Sequence, residues 1–368
     1  MPTAVHTPRR PFVRVITAAL GAAIALAFAA PVASASVTSC NPNCPPVAGS
    51  AYGIVHDVLG TYIVNDDYNS QHQIDSVVND AAGAYLVTLP GLTAGGGTVN
   101  VTGMSSNCIV LGWTASQATG TVVDVRCYDY QANPVNDDFA FTFTSQRQNN
   151  FPFAYALVDD AWSATSTPNL TYQFDQGSTI TVKHAKLGTY TVNIPFSGYG
   201  PGGTAKVTAY DQDASCEVVG LNGNSSTEKV TVKCAGVAGP VNTPFTITFL
   251  RGTDLLDQKT LASGYARLDP PAATGTFAAT GNYWTWESPG GVIDAYKSQT
   301  GLYFVHFPGI ATPGNAQVAT IGSKANRCRL VDISATAGTT TVEVVCAKMN
   351  APTKFVDSPF LVQVTSIS

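Results

Sequence analysis

Gly301-Leu302-Tyr303-Phe304-Val305-His306-Phe307-Pro308 decides how this chain is read, because its pattern occurs twice more. Gly83-Ala84-Tyr85-Leu86-Val87-Thr88-Leu89-Pro90 and Gly188-Thr189-Tyr190-Thr191-Val192-Asn193-Ile194-Pro195 share the form Gly-x-Tyr-x-Val-x-(apolar)-Pro. Apolar and polar side chains alternate in it, which is the period of a half-buried strand. Tyr190, Val192 and Ile194 fall on one face, Thr191 and Asn193 on the other. The flanking Gly and Pro bracket the strand, Pro being tolerated where no ladder donor is needed.

The match extends outward. Downstream, Val99-Asn100-Val101-Thr102 corresponds to Ala205-Lys206-Val207-Thr208 and to Ala316-Gln317-Val318-Ala319. A cysteine follows in each copy (Cys108, Cys216, Cys328), and a second comes 18 or 19 positions later (Cys127, Cys234, Cys346). The copies close with Phe139–Phe143, Phe245–Phe249 and Phe360–Val364, and open with Tyr52, Tyr155 and Tyr265. These spacings predict an all-β chain of three tandem β-sandwich domains, immunoglobulin-like in architecture but without the inter-sheet Cys-Trp-Cys pattern. Seven or eight short strands are expected per copy. The expected divisions are a signal peptide over 1–35, a Cys-containing segment over 36–51, and repeats over 52–148, 152–254 and 264–368.

In each copy the first cysteine begins a strand and the second ends the next. An antiparallel hairpin places such positions opposite each other, at a separation that suits a disulfide. Closing a loop of that length stabilises by about 3 kcal/mol in the chain-entropy model. Zinc frameworks use close Cys pairs with further Cys or His, which this spacing does not offer, so no metal or other cofactor is expected. Cys40 and Cys44 lie outside the repeats and by elimination pair with each other, or each with another chain.

The formal net charge is −5, with only 12% charged residues. Arg9, Arg10 and Arg14, an apolar stretch from Val15 to Ala30 and Ala33-Ser34-Ala35 form a signal-peptide pattern with a mature start at Ser36. The ordinary secretory route fits better than twin-arginine export, which carries chains folded before disulfides form. Without its three leader arginines the chain has 16 basic and 24 acidic side chains, a balance of −8. Such a surface is a poor nucleic-acid binder. No second stretch is long enough to span a bilayer, so no membrane insertion is expected after cleavage and the protein is expected outside the cell.

Tandem Gly-x-Tyr-x-Val-x-Phe-Pro-Gly, Val-x-Val-Thr, a Cys pair and a closing Asp-x-Pro-Phe strand resemble exported all-β repeat proteins of actinobacteria and other soil bacteria. Gly301 to Gly309 and Asp357-Ser358-Pro359-Phe360 carry the likeness best. The resemblance implies an exported repetitive β protein and assigns no catalytic residue.

No catalytic constellation stands out. His56, His72, His184 and His306 show no metal-ligand spacing, and G-x-S-x-G is absent. Asp66-Asp67, Asp137-Asp138, Asp159-Asp160 and Asp211/Asp213 read as turn carboxylates, with calcium the alternative. Trp284 and Trp286 align with Tyr172 and Phe174 and read as core, which turns Tyr283 outward as a candidate binding residue. The expected function is a non-catalytic binding or adhesion module with an extracellular glycan or cell-wall polymer as partner. A structural spacer is the alternative, and a secreted hydrolase the third reading.

Overall fold

The structure is a computed structural model. It describes residues 47–56, 60–145, 152–176, 178–195, 202–224, 226–253, 261–281, 284–322, 326–349 and 351–367. The expected signal peptide, Cys40, Cys44 and Tyr283 lie outside the described residues.

Three sandwiches follow one another, each with a four-stranded inner sheet and a larger outer sheet. In the first repeat the inner order is Asn65–Asn69, Ser50–Val55, Phe139–Thr144, Thr98–Gly103. Its outer order is Gly60–Ile63, Ser76–Ala81, Ala84–Leu89, Gly120–Tyr128, Asn107–Ser116. The second and third repeats reproduce both orders. Each adds one short strand to its outer sheet, Gly239–Pro240 and Ala351–Phe355. The described strands number nine, ten and ten per copy, more than the sequence suggests, because short edge pieces carry too few residues to show a period. A short 3-10 turn spans Leu170–Tyr172.

The repeated motif has a physical basis. Gly83, Gly188 and Gly301 take positive φ (67°, 62° and 74°), and a Cβ there would stand within 2.5 Å of the carbonyl oxygen of Cys127, Cys234 or Cys346. Each of these glycines accepts from its cysteine's N–H at 2.8 to 2.9 Å. Each also donates its own N–H to a side chain ahead of the closing strand: Asn136, Asn242 or Asp357. The motif tyrosine reaches the same place, Tyr85 donating to Asp137 O and Tyr303 to Asp357 Oδ1. Gly and Tyr therefore clamp three chain segments together, so they recur while the residues between them vary.

The cysteines are cross-strand partners: Cys108 with Cys127, Cys216 with Cys234, Cys328 with Cys346. All three pairs are bonded. Three residues after the first cysteine each strand carries a bulge, between Val110 and Gly112, Val218 and Gly220, or Leu330 and Asp332. A bulge bends a strand and sharpens its twist.

The copies are not beads. Ser50–Val55, Thr98–Gly103 and Phe139–Thr144 are buried at every residue, so both faces of the inner sheet are covered. One face meets the outer sheet of its own repeat, and the other meets the neighbouring repeats. Ile109 joins the core of the second repeat, and Ile54 and Ala140 join that of the third. Tyr52 of the first repeat packs with Phe153, Tyr155 and Leu250 of the second. The alternation in Val-x-Val-Thr is thus not core against water. Its polar half is buried between copies: Asn100 Nδ2 donates to Thr248 Oγ1 at 2.6 Å and Thr102 Oγ1 to Gln317 Oε1 at 2.7 Å. Lys206 Nζ donates to Val318 O at 2.8 Å, and Asn315 Nδ2 to Gly53 O at 2.9 Å. Each repeat touches both others, and the three close into a ring. A made hydrogen bond adds only about 0.5–1.5 kcal/mol, but an unmade buried one costs about 1–3. These bonds therefore select which copy faces which.

Candidate functional site

At one end of the ring the three copies surround a pocket of about 450 Å³. Equivalent positions build it: Asn107, Ser215 and Arg327 each directly precede the first cysteine of their copy and all line the pocket. The turns after the second cysteines, carrying Tyr130, Val237 and Met349, form the mouth. Beneath lies a smaller void of about 30 Å³, lined by Lys206, Glu217, Thr102 and Arg327. That is room for about one water among polar partners.

The charges at this end belong to single copies. Where the second repeat has Glu217 and the third Arg329, the first has the apolar Ile109. Arg327 Nη2 donates to Ser106 O and Arg329 Nη1 to Ser105 O, both at 2.7 Å. The Ser105-Ser106 turn is itself held by the buried Asp137 carboxylate, which accepts from both backbone N–H groups at 2.7 to 3.0 Å and from Ser106 Oγ at 2.8 Å. A carboxylate just ahead of the closing strand thus fixes a turn, and the turn fixes two guanidiniums from another repeat.

Electrostatics follow from burial. Desolvation lowers the Arg327 and Arg329 guanidiniums from their ordinary range, opposed by Glu217 at Arg327 and by Asp137 at both. They remain charged at any physiological pH. Burial pushes the Lys206 ammonium down to about 8, with Glu217 opposing. Burial raises the Glu217 carboxyl, and Lys206 and Arg327 pull it back. Glu217 accepts from Thr320 N–H at 3.2 Å and from Ser215 Oγ at 3.3 Å. On the pocket wall, burial raises Asp213, with Asn107 opposing.

The other candidates stand apart from this pocket. His56 Nδ1 lies 2.9 Å from Asp138, and His306 Nδ1 lies 2.6 Å from Asp294, its cross-strand partner. Trp284 and Trp286 are half-buried rather than core: Arg267 lies over the Trp284 ring at 4.9 Å, and Trp286 stacks on Tyr265. No group of three or more His, Cys, Asp or Glu among the described residues is arranged to hold a metal ion.

Sequence reasoning missed the axial pocket because its residues are spread over three copies and look like ordinary turn polarity within any one. The available signal was the pair of columns flanking the first cysteine, where Asn, Ser and Arg stand before it and Ile, Glu and Arg after it. No family model matches the chain, and no curated protein or solved structure shows significant similarity to it.

Proposed function

We propose that the chain is an exported, non-catalytic binding protein that seats an extracellular glycan or cell-wall polymer in the axial pocket. The observation that carries this reading is the convergence of all three copies on one pocket of about 450 Å³, within the size range of small-molecule sites. Its mouth offers Tyr130, 55% exposed, beside polar turns, the mixture that suits a sugar ring. One disulfide per copy suits an oxidising compartment.

A spacer is favoured less, because a closed ring spans little distance for its length of chain. A hydrolase needs a carboxyl free to move a proton on the substrate. Of the carboxyls at this end, Asp129 is held by Gln131 and Asn133 and Asp213 is bonded by Asn107, while Glu217 lines the inner void rather than the pocket. The test is binding of the chain from Ser36 to a panel of glycans and cell-wall polysaccharides, alongside a reduced and alkylated sample. Saturable binding is expected, lost on reduction and in a Val237→Asp variant at the pocket mouth. Binding that survives Val237→Asp but is lost in Tyr283→Ala would move the site to the third repeat. Absence of binding across the panel would overturn the reading.

A further inference from the structure

We infer that the ligand of the axial pocket is acidic, a uronic-acid sugar whose carboxylate rests on Arg327 and Arg329; this builds on the binding reading above. The ground is the state of the two guanidiniums. Each is tethered by one N–H to a turn carbonyl, which fixes its plane and leaves its other donors over. Arg329 Nε is buried without a hydrogen-bond partner. Among the described residues neither arginine forms an ion pair within 4.0 Å.

The carboxylates close by are engaged elsewhere, Asp213 on the pocket wall being bonded by Asn107. Asp137 holds the Ser105-Ser106 turn. Asp129 accepts from Gln131 N–H, Asn133 N–H and Asn133 Nδ2 within its own turn, at 2.8 to 3.0 Å. Glu217 serves Thr320 and Ser215 in the void below. Two planar cations with spare donors lining a cavity match a carboxylate, which accepts paired N–H bonds from a guanidinium. Lys348 adds a third cation on the pocket wall. Tyr130, Val237, Met349 and Pro352 supply apolar lining for the body of the ligand. The cavity volume suits about two sugar rings.

The experiment is titration calorimetry of the whole chain with digalacturonate, its dimethyl ester and inorganic phosphate. The ester keeps the shape and removes the charge. The expected result is saturable binding of the acid, at least about 10-fold tighter than the ester and than phosphate. Arg329→Gln should weaken the acid about 10- to 100-fold, the range for losing a charge-assisted pair. Lys348→Gln, which breaks no side-chain hydrogen bond or ion pair among the described residues, should weaken it about 2- to 3-fold and guards against misfolding as the cause. Equal binding of acid and ester, with Arg329→Gln silent in a folded variant, overturns the acidic ligand and leaves the binding reading in place. Phosphate binding tighter than the acid overturns the carboxylate assignment. A failure of acid and ester together with an empty glycan panel overturns both.

Discussion

All three junctions of the ring carry side-chain hydrogen bonds, but among the described residues only two are also bridged backbone to backbone. Between the first and second repeats, Val110 forms a parallel bridge with Tyr210, and Asp211 N–H donates to Val110 O at 2.9 Å. Between the second and third, Val218 bridges Ile321 in the same way. In both, the residue after the inner strand plugs the preceding copy: Tyr210 against Trp113, and Ile321 with Leu221. At the third junction Met104 holds the plug position and packs on the core of the third repeat. Among the described residues no bridge joins Met104 to Leu330, and Arg327 and Arg329 reach across to Ser106 and Ser105 instead. Backbone pairing is indifferent to side chains, so it repeats while the sequence drifts. The arginine junction depends on its residues, and it is the one that gives the pocket its charge.

The sharpest way to break this contrast is to replace Arg327 and Arg329 together by Met. The turn carbonyls lose their donors and Asp137 loses its neighbouring cations. A loss of about 3–5 kcal/mol is expected by chemical denaturation, since two hydrogen bonds from charged groups are removed. Hydrogen exchange should rise first at Met104–Cys108, while the Val110–Tyr210 junction stays protected. Uniform exchange across all three junctions would contradict a special role for the third.

Inside the sandwiches a second contrast between copies is testable by pH. Thr121 and Thr340 donate to Leu92 O and Ile310 O, whereas the second repeat has Glu228 at the equivalent site. Burial pushes the Glu228 carboxyl from 4.5 to about 8, with Arg251 opposing. A carboxyl held higher in the folded than in the unfolded state stabilises fully below its unfolded value, and that contribution is lost as pH rises through about 8. Glu228→Thr should therefore gain on the wild type by about 2–4 kcal/mol between pH 4.5 and 8, measured by urea melts. A pH-independent difference would place the charge elsewhere.

Smaller effects should follow at the backbone junctions. Tyr210→Ala is expected to cost about 2–3 kcal/mol, since it removes a half-buried ring and its contact with Trp113 but not the bridge. Unlike the arginine pair, it should respond little to added salt. Thr248→Val leaves Asn100 Nδ2 without its partner and should cost about 1 kcal/mol. A Thr248→Val loss as large as that of the arginine pair would erase the contrast.

The sandwich and the three disulfides were legible because they rest on short-range periodicity and on positions that clamp the same segments in every copy, Gly188 and Tyr190 among them. The ring was not legible. Thr208 and Gln317 look like solvent-facing residues of a half-buried strand, and only the placement of another copy against them makes them interior. The pocket was hidden for the same reason: Arg327, Ser106 and Glu217 are far apart in sequence and meet only when three sandwiches close. The candidate at Tyr283 rested on strand parity alone, and its neighbours Trp284 and Trp286 proved half-buried.

Small-angle scattering of the chain from Ser36 tests the closed ring most directly. A compact body of this length has a radius of gyration of about 20 Å, whereas three sandwiches strung as beads give about 30 Å. A value near 20 Å with a single-peaked distance distribution is the expected result. A value near 30 Å with a second peak at the spacing between domains would contradict the ring, and with it the pocket that only the ring creates.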